Sequence, residues 1–273
     1  MEALRQVDDW PVRAAAVGVT GARETLATTG RTGAAFSWAS VTKLATALAA
    51  LVAAEEGVID LDGEAGPPGS TVRHLLAHAS GLPLDAGPPI AKPGTRRIYS
   101  NAGFEALAEV VAAAAETPFA DYLREAVLVP LRLGATLDGS PASGISGSLA
   151  DVLALGRELL APRLIAAETL SEAAEVQFAG LVGVLPGYGR MEPNDWGLGF
   201  ELRDAKRPHW TGERNSPRTF GHFGQSGGFL WVDPDAAVAC ACLTDTRFGD
   251  WAKAAWPALA DAVLEEMGTG AGG

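Results

Sequence analysis

Only two cysteines, Cys240 and Cys242, occur in 273 residues, so no disulfide framework holds the chain together. They stand two apart in a strand-like run and point the same way from one backbone, a poor arrangement for bridging each other. A reducing compartment fits that usage. Positive charge is scarce as well: 21 Lys and Arg against 33 Asp and Glu give a net charge of −12, which leaves no field to draw in a phosphate backbone or an anionic lipid. Nucleic acid is therefore not an expected partner. Long apolar runs are missing too, since the Ala-rich stretch 44–54 stops at Glu55-Glu56-Gly57, about half of the ~20 residues that span a bilayer. No membrane partner is expected. The first residues carry no basic segment followed by an apolar run and a small-residue cleavage site, so the sequence predicts a cytoplasmic protein. With 48% hydrophobic and 20% charged residues, the chain is long and apolar enough to bury a sizeable core in one large unit or two modest ones.

Strand signals cluster at both ends and helix signals in the middle. Residues 12–19 and 24–28 are short β-prone runs separated by Thr20-Gly21-Ala22-Arg23, which predicts a hairpin. A third run, Ala34-Ala35-Phe36, leads into a helix that reaches Glu56, with Gly57 as its stop. Helical patterns recur over 71–78, 102–115, 119–125 and 149–160, punctuated by Pro67-Pro68-Gly69, Pro88-Pro89 and Pro93-Gly94. After Asn194, residues 196–202, 220–224, 228–233 and 236–243 look like successive strands. Residues 248–267 resemble a closing helix that Pro257 kinks or divides, and 268–273 look like a frayed tail. Together these signals predict an α/β (α+β) fold. One antiparallel sheet is built from the N- and C-terminal segments (1–57 and 196–273), flanked by helices, with an all-helical inserted region at 58–195.

Three short motifs carry chemistry. Ser40-Val41-Thr42-Lys43 places a hydroxyl and an amine one helical turn apart on one face, and burial of the lysine in an apolar helix would favour its free amine as a base. The same pattern also suits a helix-start serine beside a surface lysine. Tyr99-Ser100-Asn101 follows Pro93-Gly94-Thr95 on a loop before a helix, where a phenol can relay protons and an amide can bind a substrate or the lysine. An ordinary buried tyrosine followed by a capping asparagine reads equally well there. His222-Phe223-Gly224 ends a strand before Gln225-Ser226-Gly227-Gly228, small residues that let a ligand approach the backbone closely.

Taken together, the three motifs in this order resemble the serine beta-lactamase and penicillin-binding-protein superfamily, in its class C beta-lactamase-related branch of esterases and DD-peptidases. The resemblance extends through residues 72–83, Pro130-Leu131 and 221–234 and so covers most of the chain. It implies a beta-lactamase/transpeptidase-like fold, with Ser40 the acylated nucleophile, Lys43 its proton partner and Tyr99 the general base and acid. Asn101 is implied as a ligand of substrate or of Lys43, His222 and Gly224 as the third motif, and the backbone N–H groups of Ser40 and Gln225 as the oxyanion hole. No cofactor and no metal are implied.

Departures narrow the expectation. A class A enzyme carries Glu four residues before an Asn, yet Arg97, Arg190 and Thr211 precede Asn101, Asn194 and Asn215. The third motif usually reads Lys-Thr-Gly in beta-lactamases, where charge and hydroxyl hold the antibiotic carboxylate, whereas here it reads His222-Phe223-Gly224. The chain is also shorter than typical class C enzymes. A serine hydrolase acting on a small ester or amide is expected, with esterase preferred to beta-lactamase or DD-peptidase, and a non-catalytic binding module as the alternative from another class. Gly224-Gln225-Ser226-Gly227-Gly228 matches a nucleophile elbow, but a strand-like run follows it and no His occurs beyond His222. His74 and His78 share a helix face without a metalloprotease Glu or third ligand, so packing is expected of them. Arg96 and Arg97 are expected to form ion pairs; Trp38, Trp231, Trp251 and Trp256 are expected to pack in the core or on the sheet, with Trp38, two residues before Ser40, the one that would border the cleft.

Overall fold

Residues 15–20 and 238–244, from the two ends of the chain, pair as strands buried on both faces, and residues 25–30 add an exposed edge strand. The computed structural model describes residues 1–270. Its strands are β1 (Ala15–Thr20), β2 (Thr25–Gly30), β3 (Phe36–Ser37), β4 (Thr136–Leu137), β5 (Ile145–Gly147), β6 (Gly183–Leu185), β7 (Gly189–Met191), β8 (Glu201–Leu202), β9 (Phe220–Gly224), β10 (Gly228–Asp233) and β11 (Val238–Thr244). The helices are α1 (Thr42–Glu55), α2 (Val72–Leu76), α3 (Asn101–Ala115), α4 (Phe119–Leu123), α5 (Leu149–Leu160), α6 (Ala167–Ala173) and α7 (Asp250–Gly270), with an N-terminal 3-10 helix at Glu2–Asp9. One six-stranded sheet runs β2-β1-β11-β10-β9-β8, antiparallel throughout.

Side chains alternate across this sheet as a strand's period of two requires. Ala239, Ala241 and Leu243 of β11 join a core with α1, α3 and α5 on one face. Val238, Cys240 and Cys242 join a second core with α7 and the N-terminal helix on the other. Both cysteines are free and buried. α1 is buried from Thr42 through Ala53, which is why it reads as hydrophobic all round rather than amphipathic. α5 lies close on the sheet at two glycines: a Cβ on Gly18 would come 2.7 Å from Leu153, and one on Gly156 would come 3.1 Å from Leu230.

The hairpin, α1 with its stop, α3, α4, α5 and the strands after 219 fall where the sequence predicts them. The inserted region is helical in its longer elements but also carries β4 to β7 and α6, too short to leave a periodic signal. Of residues 196–202 only Glu201–Leu202 is a strand. α7 continues through Pro257 to Gly270, so 268–270 belong to the helix, while the part of the predicted tail at 271–273 lies outside the described residues. Among the described residues no helix is long and apolar enough to cross a membrane.

Candidate active site

A single 3-10 turn, Ala39–Val41, leads straight into α1 and sets Ser40 at the head of the buried helix. Ala39 just before it holds φ at 44°, a left-handed conformation that costs a residue with a side chain about 1 kcal/mol or more. Ser40 follows it and lines a cavity. β9 abuts the turn. A Cβ on Gly224 would lie 2.6 Å from the Trp38 carbonyl and 3.2 Å from the Ser40 nitrogen, so only glycine lets the strand end reach this backbone.

The Tyr99 loop is pinned by the segment that precedes it. Ser100 N–H donates to His78 Nδ1 at 3.1 Å, Ser100 Oγ–H to the Pro83 carbonyl at 2.6 Å, and Asn101 N–H to the Leu84 carbonyl at 2.7 Å. Ser100, not Asn101, caps α3, by accepting the Gly103 N–H at 2.8 Å. The Asn101 side chain is thereby free, and its Oδ1 accepts from Lys43 Nζ at 2.7 Å. Lys43 donates a second bond, at 2.9 Å, to the carbonyl of Ala142. Its amine stands 4.8 Å from the centre of the Tyr99 ring, and Ser40 and Tyr99 line the same cavity.

Burial dominates the electrostatics. Desolvation pulls the Lys43 amine from its ordinary 10.5 to about 7, with Glu105 and Asp85 opposing the shift. At neutral pH a substantial fraction is therefore the free amine. Desolvation raises the Tyr99 phenol, and the neighbouring Ser40 hydroxyl only partly counters that. His222 is pushed down to about 3, first by desolvation and then by Lys43, and its Nδ1 lies 2.7 Å from the Phe223 carbonyl. A carbonyl only accepts, so Nδ1 carries the hydrogen and His222 is a neutral ring.

Ser40, Tyr99, Asn101, His222 and Gln225 line one cavity of about 180 Å³, Gly224 lies at its Ser40 end, and Lys43 sits behind Tyr99 and Asn101. Leu84, Leu185, Pro186, Trp196 and Phe223 make the remaining wall apolar, apart from Glu201. Glu201 is buried and ionised: desolvation raises it, but His209 and Lys206 outweigh that and bring it down to about 2. Lys206 and His209 bond its two oxygens, and Trp210 Nε1 donates to Oε2 at 2.7 Å.

Two expectations, that for Arg96 and Arg97 and that for Trp38, are corrected. Neither Arg96 nor Arg97 forms an ion pair among the described residues. Arg97 is buried and donates to the backbone carbonyls of Ala77, Gln177, Phe178 and Asn194. Trp38 is fully buried away from the cavity, and Trp196 borders it instead. Ser226 lies in the tight turn between β9 and β10, closed by Gly227 N–H to the Gly224 carbonyl at 3.0 Å, with a strand rather than a helix after it. His74 is taken up by the capping box of α2, and no group of His, Cys, Asp or Glu among the described residues is arranged to hold a metal. Sequence reasoning missed Ala142, which acts through its carbonyl, and Glu201 and Trp196, which no spacing links to the motifs.

Comparison with known proteins identifies the family and the fold. The Beta-lactamase family profile matches residues 5–264. A structure described as a beta-lactamase from Mycobacterium bovis is 55% identical, with a TM-score of 0.96, covering 97% of this chain and 99% of that one. EstCE1, described as a hydrolase with promiscuous acyltransferase activity, is 18% identical with a TM-score of 0.77 over 96% of each chain. The octameric penicillin-binding protein homologue from Pyrococcus abyssi is 18% identical with a TM-score of 0.73, covering 97% of this chain and 76% of its own. These last two share the fold. Among curated proteins none matches the chain.

Proposed function

The chain belongs to the beta-lactamase family, and from that premise we propose that it is a serine hydrolase that cleaves small, uncharged carboxylic esters through an acyl-enzyme on Ser40. The observation that carries this is that Ser40 and a buried Tyr99 share one cavity lined by no lysine or arginine, with the Lys43 amine 4.8 Å from the Tyr99 ring and brought near neutrality. A neutral Lys43 spends both N–H bonds on Asn101 and Ala142, which leaves its lone pair as the one position able to take a proton. As Ser40 Oγ attacks the ester carbonyl, its proton passes to Tyr99 Oη while the phenol's own proton passes to Lys43, so a costly buried phenolate need not accumulate. The backbone N–H groups of Ser40 and Gln225 receive the developing oxyanion, each worth about 3 kcal/mol. Reversal of the relay protonates the leaving alkoxide, and the same groups then activate the water that releases the acid.

The substrate preference follows from charge. A beta-lactam brings a carboxylate, and the cavity offers it the neutral His222, the ring of Phe223 and the anionic Glu201. An uncharged ester meets no such penalty. A second reading, beta-lactam hydrolysis, draws support from the printed description of the 55% identical relative.

Steady-state kinetics on p-nitrophenyl butyrate and a chromogenic cephalosporin separates the two readings. The esterase proposal expects kcat/KM to favour the ester by about 100-fold or more. Efficient cephalosporin turnover supports the second reading instead, and no turnover of either, with no adduct from a fluorophosphonate, leaves a non-catalytic binding module.

A further inference from the structure

Lys43 is held by two acceptors, and behind each acceptor stands a carboxylate. The Asn101 carbonyl takes one Lys43 N–H, and the Asn101 amide nitrogen donates in turn to Asp85 Oδ1 at 3.4 Å. An amide whose nitrogen is drawn toward a carboxylate has its oxygen turned the other way, here toward Lys43. Ala142, the second acceptor, sits in a tight turn. Its N–H donates to Ser140 Oγ at 3.0 Å, and the Ser140 hydroxyl donates to Glu105 Oε1. Thr46 Oγ1–H to the Pro141 carbonyl at 2.6 Å and Ile145 N–H to Thr42 Oγ1 at 3.1 Å fasten that turn to α1 on either side of Lys43.

Asn101 and Glu105 are four apart on α3, so one helix face presents both the amide and the carboxylate. Asp85 and Glu105 line a separate groove of about 750 Å³ on the far side of Asn101 and do not line the cavity that holds Ser40. Substrate in that cavity does not reach them. Around Lys43, the rings of Tyr99 and Phe104 bring no full charge, and His78 and His222 are kept neutral, in both cases chiefly by desolvation. Asp85 and Glu105 are the two carboxylates whose charges act on the amine.

We propose that Asp85 and Glu105 are positioning residues for Lys43: Asp85 orients the Asn101 amide, Glu105 holds the Ala142 carbonyl through Ser140, and their two negative charges set how tightly the amine keeps its proton. The catalytic consequence rests on the reading of Lys43 as the base. The coupling of charge does not. Glu105→Gln keeps an acceptor for the Ser140 hydroxyl and removes the charge, Asp85→Asn does the same beside Asn101, and Ser140→Ala removes the bridge and leaves both charges in place.

The chain contains four lysines, Lys43, Lys92, Lys206 and Lys253, so carbon-13 labelling at the lysine side chain gives a spectrum in which Lys43 can be assigned from a Lys43→Met variant. Its titration is followed by NMR in the intact protein, with no need for turnover. In Glu105→Gln and in Asp85→Asn the Lys43 midpoint is expected to move to lower pH by about half a unit or more, and in Ser140→Ala to move less. The rate of Ser40 modification by a fluorophosphonate, measured against pH, is expected to carry its acid limb downward by the same amount in the two charge variants. In Ser140→Ala the rate should fall at every pH without that displacement. An unchanged Lys43 midpoint in both charge variants would overturn the proposal. Shifted midpoints with no modification of Ser40 at any pH would support the charge coupling while overturning the hydrolase reading.

Discussion

Replacing Lys43 by methionine should inactivate the protein and stabilise it, by an amount that depends on pH in a calculable way. The amine is fully buried, and its pKa falls from 10.5 to about 7 on folding, which corresponds to about 5 kcal/mol of penalty against the charged form. Below pH 7 the lysine is protonated in both states and the whole penalty is present. Between pH 7 and 10.5 the unfolded chain holds more protons than the folded one, so stability rises with pH through that window and the penalty is lost by its upper end. Methionine fills similar space without titrating. It also strips a donor from Asn101 and Ala142, at a cost of about 1–3 kcal/mol that is nearly independent of pH. Urea unfolding of wild type and Lys43→Met at pH 7 and pH 9 separates the two contributions. Wild type should gain about 2 kcal/mol relative to the variant over those two pH units. A difference between the two proteins that stays constant from pH 7 to pH 9 would refute a desolvated amine at position 43.

Three further outcomes follow from the same geometry. Ester hydrolysis, measured as kcat/KM, should fall as pH drops below about 7, because Lys43 takes up the proton that closes its lone pair; a rate flat down to pH 5 would argue that another group is the base. Gly224→Ala should lower kcat/KM by about 100-fold or more, since the added Cβ meets the Trp38 carbonyl and the Ser40 nitrogen, and near-normal activity would mean that β9 does not contribute to the oxyanion site. Arg97→Met should destabilise the fold by about 3 kcal/mol or more by removing the donor from four carbonyls, two of them in fully buried bonds, and denaturant unfolding within 1 kcal/mol of wild type would mean that water replaces the guanidinium.

Much of the architecture is written in local patterns. Gly57 stops α1, Ser148 and Asp151 make the capping box that opens α5, and β9 to β11 are continuous apolar runs because both faces of the sheet are covered. The motif residues are legible for the same reason: a helix start, a loop before a helix and a strand end are each local features. What joins them is not. Ala142 enters the site through a backbone carbonyl, which any residue type would supply, and Glu201 arrives by the pairing of β8 with β9. Arg97 looks like one of two surface cations in sequence, and only the convergence of residues 77, 177, 178 and 194 shows it as an internal tie. Asn101 reads as a cap until Ser100 takes that role.

The central claim is that Ser40, activated by Tyr99 and Lys43, is the nucleophile, and mass spectrometry of the intact protein after fluorophosphonate treatment tests it most directly. One adduct is expected, mapping to the peptide that contains Ser40, absent from Ser40→Ala and retained in Ser226→Ala. An adduct on Ser226, or none on wild type at pH 8 where the Lys43 amine is largely free, would contradict it.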